Sequence, residues 1–390
     1  MSWELSKLPF FEASHYALAD KVNAWREKHA SLLHSHPERE FGPIAREILR
    51  ALGEAGLIEH VLPQPKGGAI ARPDVRSICL IREALAYDSF LVDSMFVMQG
   101  LGTAPLWQHA DPAFRDSYLA PCRKGERIAA LALTEPDAGS DLAQAATTAT
   151  LDGDHYVLNG EKRWITNAGI ADFYIVVART GEGPGARGLS ALIVDAKTPG
   201  LTAGPQTDLI APHPIGPVAF ENCRVPKANM IGGAGSGFKA AMATFDIFRP
   251  SVGGAAIGAA RRALKETIDR VKTRRMFGKT MAEMDAVQGK IADMTADTET
   301  AILMVYRAAW QSDVVGGRVT RESALAKYVA TEAAQRVVDS AVQLHGALGV
   351  ARGSIVEQLY RDVRPMRIYE GANEVQKMVI ARAMLADPKP

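Results

Sequence analysis

Residues 132–141 read Ala132-Leu133-Thr134-Glu135-Pro136-Asp137-Ala138-Gly139-Ser140-Asp141, and the texture of the chain differs on the two sides of this stretch. Pro136 and Gly139 impose a turn, because proline fixes φ and glycine tolerates backbone shapes that other residues avoid. Before the turn, apolar residues recur at helical spacing. Leu18, Val22, Trp25 and Leu32 form one stripe; Ile44, Ile48 and Leu52 form another that ends near Gly56. After the turn the spacing is that of strands. Ala145–Thr150 is predicted as a strand, Gly153-Asp154 as a turn and His155–Leu158 as a second strand, with Asn159-Gly160 supplying the positive φ of a tight hairpin turn. Phe173–Ala178 and Leu189–Val194 continue the β pattern on either side of the stretch 181–188. Beyond the glycine-rich joint Gly232–Gly237, helical spacing returns. Val252, Ala255, Ala259, Ile268 and Val271 fit one long helix, opened by Phe245-Asp246-Ile247-Phe248-Arg249. Val329, Ala333, Val337, Ala341 and Leu344 fit another, with Thr320 as its N-cap. The expected fold class is α+β: an N-terminal helical domain over 1–126, a middle β domain over 127–236 and a four-helix-bundle-like C-terminal domain over 237–390. The alanine-rich C-terminal helices have side chains small enough for close packing in a bundle or between subunits.

Composition narrows the function. The chain has 390 residues, more than one ordinary core accommodates, and its 47% apolar and 23% charged residues are those of a globular protein. A formal net charge of +1 provides no global field toward nucleic acid or a lipid surface. Cys79, Cys122 and Cys223 are odd in number and scattered, fitting neither a disulfide framework nor a metal site, so a reducing compartment is expected. Met1–His15 carries no apolar signal-peptide core, and no run approaches the ~20 apolar residues of a membrane span. The expectation is a cytoplasmic protein without nucleic-acid or membrane partners. Gly100–Pro105 is half a dinucleotide fingerprint without its third glycine, and Gly232–Gly237 lacks the Gly-Lys-Ser/Thr ending of a phosphate loop.

The chemistry resides in several blocks. In the turn at 132–141, Thr134, Ser140 and backbone amides can hold a flat heterocycle and a phosphate, although such a stretch alone reads equally well as a polar loop. Further along come Glu161-Lys162-Arg163-Trp164-Ile165-Thr166-Asn167-Ala168-Gly169, Arg274-Arg275-Met276-Phe277-Gly278, Gln343-Leu344-His345-Gly346-Ala347-Leu348-Gly349 and Ile368-Tyr369-Glu370-Gly371-Ala372-Asn373-Glu374. Together these resemble the acyl-CoA dehydrogenase family, whose signatures read roughly TEPxAGSD, WIT-N-A/G and YEG, and the resemblance covers almost the whole chain. It implies an FAD-dependent enzyme that oxidises the Cα–Cβ bond of an acyl-CoA thioester to the trans-2-enoyl-CoA. Glu370 would abstract the α-proton and FAD N5 would accept the β-hydride.

The resemblance also implies roles. Leu133 and Thr134 would bond the flavin's pyrimidine edge, with Gly139 in the same loop, and Ser140 would reach the pyrophosphate and border the substrate. Trp164 would cover one face of the isoalloxazine, and the Thr166 hydroxyl would approach N5; in isolation Trp164 reads as a core tryptophan beside a strand. Arg274, with Phe277 in the same element, would serve the FAD of a neighbouring subunit, as would Gln343 and Gly346, since a guanidinium fits a phosphate bidentately. Such sharing implies a homo-oligomer, by resemblance a tetramer. Asp246 would bond the pantetheine arm beside Phe245, and Arg249 would be an ordering charge near Tyr369, Glu370 and Gly371. The competing reading of Asp246 is a carboxylate that complements a helix N-terminus. His345 would be a packing residue, and no metal site is expected. Electrons would leave to an electron-transferring flavoprotein.

A free glutamate, with a pKa of about 4.3, is a weak base in water, but expelling water around it raises that value. Some relatives carry the base just before the arginine that Arg249 matches; here that residue is Phe248, which takes no proton. Glu374 is a rival carboxylate outside the YEG frame. The chain departs from pattern at Ala372, where threonine is frequent, and at Asp285, where glutamine is common and where Gln288 could substitute. It departs again at Ala211-Pro212-His213-Pro214-Ile215-Gly216-Pro217, which replaces a Gly-x-Arg-x-Ser element. Two alternatives stand beside the dehydrogenase. One is a flavin oxidase, though nitroalkane oxidases use aspartate as base. The other is a non-catalytic DNA-binding flavoprotein, which calls for a basic C-terminal extension; residues 351–390 hold seven Lys/Arg against five Asp/Glu.

Overall fold

The computed structural model describes residues 8–35, 40–66 and 69–386. Met1–Lys7, within the stretch read as carrying no signal peptide, lie outside the described residues. Among the described residues, seven helices come first: α1 (Ala13–Lys28), α2 (Ala30–Leu33), α3 (Phe41–Glu54), α4 (Val75–Asp88), α5 (Phe90–Leu101), α6 (Ala104–His109) and α7 (Pro112–Arg123). Five close the chain: α8 (Gly237–Thr273), α9 (Asp285–Trp310), α10 (Thr320–His345), α11 (Ile355–Val363) and α12 (Asn373–Leu385). Between them run β3 (Ala129–Ala132), β4 (Thr148–Asp152), β5 (His155–Thr166), β6 (Phe173–Arg179), β7 (Leu189–Asp195), β8 (Leu201–Ala203), β9 (Ile215–Pro226) and β10 (Met230–Ile231). Two-residue ladders pair β1 (Pro65–Lys66) with β2 (Ala69–Ile70), and β11 (Arg275–Met276) with β12 (Lys279–Thr280). Helices flank a sheet in the chain order expected of the α+β class.

The chain groups into two compact units. The first takes the residues up to His34, Asp74–Asp93 and everything from Asp246 onward. Its core is helical: α10 packs on α9, α11 and α12, and α1 and α9 pack on α4. Asp74 caps α4, its Oδ1 accepting from the Ser77 N–H at 2.7 Å. Small residues bring α8 against α4. A Cβ on Gly258 would lie 2.3 Å from the Glu83 carbonyl oxygen, and one on Gly254 would lie 2.7 Å from that of Cys79. Val252, Ala255 and Ala259 of the anticipated stripe are fully buried.

The second unit takes Ser35–Pro73 and Ser94–Phe245. Its sheet runs in the order β10-β7-β6-β4-β5-β9-β8, with β3 joined in parallel to β6. β6 and β7 are buried along almost their whole length, which explains their continuous apolar runs; β5 and β9 alternate between buried and exposed positions.

Three local expectations are corrected. Asn159-Gly160 is no hairpin turn: β5 runs through it, and the hairpin closes at Gly153-Asp154. Gly160 sits at a register shift with φ 143°, where a Cβ would lie 2.7 Å from the Thr147 hydroxyl oxygen, so glycine here permits close approach within a bulge. α8 begins at Gly237 rather than at Phe245, which leaves Asp246 inside the helix and removes the helix-terminus reading of its carboxylate. Thr320 is the first residue of α10, after Val319 in the cap position, and its hydroxyl donates to Asp246 Oδ2 at 3.1 Å. All three cysteines are buried free thiols.

Candidate active site

In the first unit, Glu370 occupies the short connection into α12 with φ 52°, followed by Gly371 at 91°. A glutamate in the left-handed region costs on the order of 1–3 kcal/mol, so surrounding contacts must hold it there. Here they grip the backbone. Arg249 Nε donates to the Glu370 carbonyl at 3.3 Å; Lys327 Nζ donates to the Gly371 carbonyl at 3.0 Å and to Asn373 Oδ1 at 2.7 Å; Gln376 Nε2 donates to the Gly371 carbonyl at 2.9 Å. Asn373 is fixed in turn, its Nδ2 donating to Thr331 Oγ1 at 3.0 Å and to Glu332 Oε1 at 2.8 Å. α8, α10 and α12 thereby hold one loop by its carbonyls and leave the Glu370 carboxyl uncommitted. The residue as a whole is half-buried, but its Oε2 is sealed from solvent and accepts no hydrogen bond among the described residues.

Burial pushes the Glu370 carboxyl above the ordinary glutamate range; Arg82, Arg249 and Lys327 pull it back down, and Asp93 adds to the rise. Arg82 and Asp93 form a buried bidentate pair, 2.8 Å at both contacts, and Arg82 also donates to Ser251 Oγ at 3.1 Å. Burial also lowers the Lys327 ammonium to about 8. Asp246 Oδ1 lies 3.5 Å from an Arg249 guanidinium nitrogen. Phe245 is half-buried one residue earlier, and Tyr369 is partly exposed. Phe248 is a fully buried core residue. Glu374 is exposed in the first turn of α12, where a helix terminus favours a carboxylate.

In the second unit, the chain leaves β3 and turns between Glu135 and Ala138, whose backbones exchange bonds of 3.0 and 3.3 Å. Lys162 anchors this turn from inside the sheet. It is fully buried, and its Nζ donates to the carbonyls of Leu133 (3.1 Å) and Val177 (2.6 Å) and pairs with Glu135 Oε1 at 2.7 Å. The Arg163 N–H donates to the Thr134 carbonyl at 2.8 Å, which brings Leu133 and Thr134 beside the start of the Trp164 segment. Trp164 is 55% exposed with φ 59°, so it is not a core tryptophan. Gly139 and Ser140 are exposed. Thr166 Oγ1 lies 3.1 Å from His213 Nε2.

The remaining candidates lie on the first unit. Arg274 precedes the β11–β12 hairpin, whose tip carries Phe277, 88% exposed at φ 50°. Arg270 donates to the His345 carbonyl at 3.1 Å, joining the end of α8 to the end of α10, where Gln343 is exposed and Gly346 caps the helix at φ 63°. His345 is buried, with Nδ1 2.7 Å from the Ala341 carbonyl. Gln288 Nε2 already donates to the Ala282 carbonyl at 2.9 Å, Asp285 opens α9, and Ala372 precedes α12 in its cap position. No cluster of three or more His, Cys, Asp or Glu among the described residues is arranged to hold a metal, and no helix among them is long and apolar enough to cross a membrane.

Three family models match in sequence: the acyl-CoA dehydrogenase N-terminal domain over residues 12–126, the middle domain over 130–223 and the C-terminal domain over 235–385. This chain belongs to the acyl-CoA dehydrogenase family. It is 39% identical to a short-chain-specific acyl-CoA dehydrogenase of Megasphaera elsdenii over 345 residues, covering 87% of this chain and 90% of that relative. It is 37% identical to a 3-(aryl)acrylate reductase of Clostridium sporogenes over 362 residues, covering 89% and 95%. The solved butyryl-CoA dehydrogenase of Megasphaera elsdenii superposes with a TM-score of 0.88 at 32% identity, over 96% of this chain and 99% of that one.

As an acyl-CoA dehydrogenase the chain is an oxidoreductase of a flavoprotein family. Its residues suit FAD on structural grounds. Trp164 presents a large aromatic face to the surface from a strained backbone, and the exposed Ser140 lies in the loop that the buried Lys162 braces. Sequence reasoning did not single out Lys327, Asn373, Gln376 and the Arg82–Asp93 pair. A signal for Lys327 existed: it stands among Ala324, Ala330 and Thr331, positions that a helix of 3.6-residue period buries together.

Proposed function

We propose that the protein dehydrogenates an acyl-CoA thioester across Cα–Cβ to the trans-2-enoyl-CoA, with Glu370 as the base that takes the α-proton. The observation that carries this reading is the sealed Glu370 Oε2, without a hydrogen-bond partner among the described residues, on a loop that Arg249, Lys327 and Gln376 hold by its backbone carbonyls. A base must be poised and not already committed to a hydrogen bond, and burial gives this carboxyl a higher proton affinity than glutamate has in water. FAD, when bound, supplies the acceptor for the hydride leaving the β-carbon. Leu133, Thr134, Gly139 and Ser140 would hold it, Trp164 would shield it from water and Thr166 would face N5. Phe245, Asp246, Arg249, Tyr369 and Gly371, together with Ser140, would border the thioester. Arg274, Phe277, Gln288, Gln343, Gly346 and Ala372 would complete FAD sites in a homo-oligomer, a tetramer by resemblance. We read the domains as 1–126, 127–236 and 237–390, the compartment as the cytoplasm and the electron acceptor as an electron-transferring flavoprotein.

The purified protein should be yellow and release FAD on denaturation; release of FMN, or no flavin uptake after reconstitution, would overturn the reading. A panel of acyl-CoAs with an artificial acceptor then identifies the acyl group. The panel should include aryl-substituted enoyl substrates run with a reductant, since one relative is named as a 3-(aryl)acrylate reductase.

A second expectation concerns Arg274. Loss of a charge-assisted phosphate contact costs about 1.5–3 kcal/mol, so Arg274→Ala should weaken FAD binding by that amount. Unchanged FAD affinity by titration would remove the shared-site argument.

A further inference from the structure

The segment Ala211–Pro217 is one of the stretches that depart from the family pattern, and the fold fixes it against one candidate flavin residue. In the β5–β9 ladder Ile215 stands opposite Thr166 and Gly216 opposite Ile165. One residue beyond the ladder, the Asn167 N–H donates to the Pro214 carbonyl at 2.6 Å, and Asn167 is itself pinned by its Nδ2 to the Ala129 carbonyl at 3.0 Å. His213 thus sits between two prolines on an anchored strand end, with its Nε2 3.1 Å from the Thr166 hydroxyl.

We propose that His213 is a positioning residue that sets the direction of the Thr166 hydroxyl and thereby tunes the flavin it faces. The inference rests on the proposed placement of Thr166 at N5. A threonine hydroxyl has one proton and two lone pairs, and a neutral imidazole can meet either. With the proton on Nε2, His213 donates to Thr166 and the hydroxyl proton points outward as a donor. With the proton on Nδ1, His213 accepts that hydroxyl proton and leaves Thr166 an outward acceptor. A hydroxyl beside a ring nitrogen that accepts when oxidised and bears N–H when reduced must make this reversal, and an imidazole accommodates both states by changing tautomer. An alkyl or aryl neighbour offers neither. The imidazole has to stay neutral for this, and burial keeps it so by lowering His213 to about 4.

The readout is the midpoint potential of bound FAD, measured by dye equilibration, together with FAD affinity. His213→Phe retains a ring but removes the hydrogen bond, and Thr166→Val removes its partner. Both should shift the potential in the same direction, each changing the ratio of reduced to oxidised FAD affinity by up to about tenfold, which is ~30 mV for a two-electron couple. The double variant should shift no further than Thr166→Val alone, because His213 acts on the flavin only through the Thr166 hydroxyl, which that variant already lacks. His213→Gln, which can donate or accept, should return the potential close to wild type. If the Phe variant folds poorly, His213→Leu against His213→Gln makes the same comparison. A wild-type potential in His213→Phe and His213→Leu alongside a shifted one in Thr166→Val, or additive shifts in the double variant, overturns the role of His213 and leaves the dehydrogenase reading intact. Failure of the wild-type protein to take up FAD overturns that reading and this inference together.

Discussion

Glu370→Gln should retain FAD and acyl-CoA binding while the substrate reduces the flavin about 10²–10⁴-fold more slowly, the usual cost of losing a positioned general base. The amide matches the carboxyl in size, and the loop does not depend on that carboxyl, because Arg249, Lys327 and Gln376 grip backbone carbonyls. The pH dependence follows from the direction of the shift. Below its pKa Glu370 carries a proton and cannot accept another, so the rate of flavin reduction should rise with pH through a pKa above the ordinary glutamate range. That limb should be absent in the glutamine variant. Glu374→Gln is the control and should retain most activity, since Glu374 is exposed at a helix start. Anaerobic mixing, with flavin bleaching as the signal, decides the matter. A Glu370 variant bleaching at the wild-type rate, or a Glu374 variant alone going silent, would show that the base is misassigned.

Lys162→Met should be among the most destabilising single changes, at about 3–5 kcal/mol, the range for breaking a buried ion pair by removing one partner. Lys162 is fully buried and joins the carbonyls of Leu133 and Val177 to the Glu135 carboxylate, which also takes the N–H of Thr147 at 3.0 Å. Removing the ammonium leaves Glu135 a buried charge without its counter-ion. Two carbonyls lose a donor at the same time. Denaturant titration should give a lower midpoint at an unchanged slope, and FAD affinity should fall because the Leu133 loop loses its brace. Lys162→Met with Glu135→Gln should recover part of the loss. An unshifted midpoint in the single variant would mean that the pair contributes nothing net.

What could be read in advance, and what could not, follows from how far each cue reaches along the chain. Strand cores such as Phe173–Ala178 announced themselves because a buried strand needs a continuous apolar run, and the Glu370 block was legible as a motif. Asn159-Gly160 misled because the same dipeptide serves a hairpin turn or a bulge, and only the approach of Thr147, just before the neighbouring strand β4, distinguishes them. The start of α8 was placed late because its first turns follow directly on a glycine-rich joint, and Ser236, the residue just before the helix, was read as part of that joint. Lys327, Arg82 and Asp93 stayed hidden for a different reason. A charged residue on a helix ordinarily reads as a solvated face, and its burial is decided by partners such as Gly371, 44 residues from Lys327. His213 was noticed only as a departure, because its partner belongs to another strand.

The left-handed backbones at Trp164, Phe277 and Glu370 have a consequence for attempts to make the protein hardier. Each costs on the order of 1–3 kcal/mol of strain, whereas glycine would give up only about 0.5–1 kcal/mol of extra chain entropy there. Selection for thermal survival alone, with turnover left unscored, should therefore drift toward glycine at all three positions. On the roles proposed for these three residues, a library screened that way would enrich sturdy, colourless and silent proteins, so the screen has to score yellow colour or bleaching alongside heat resistance.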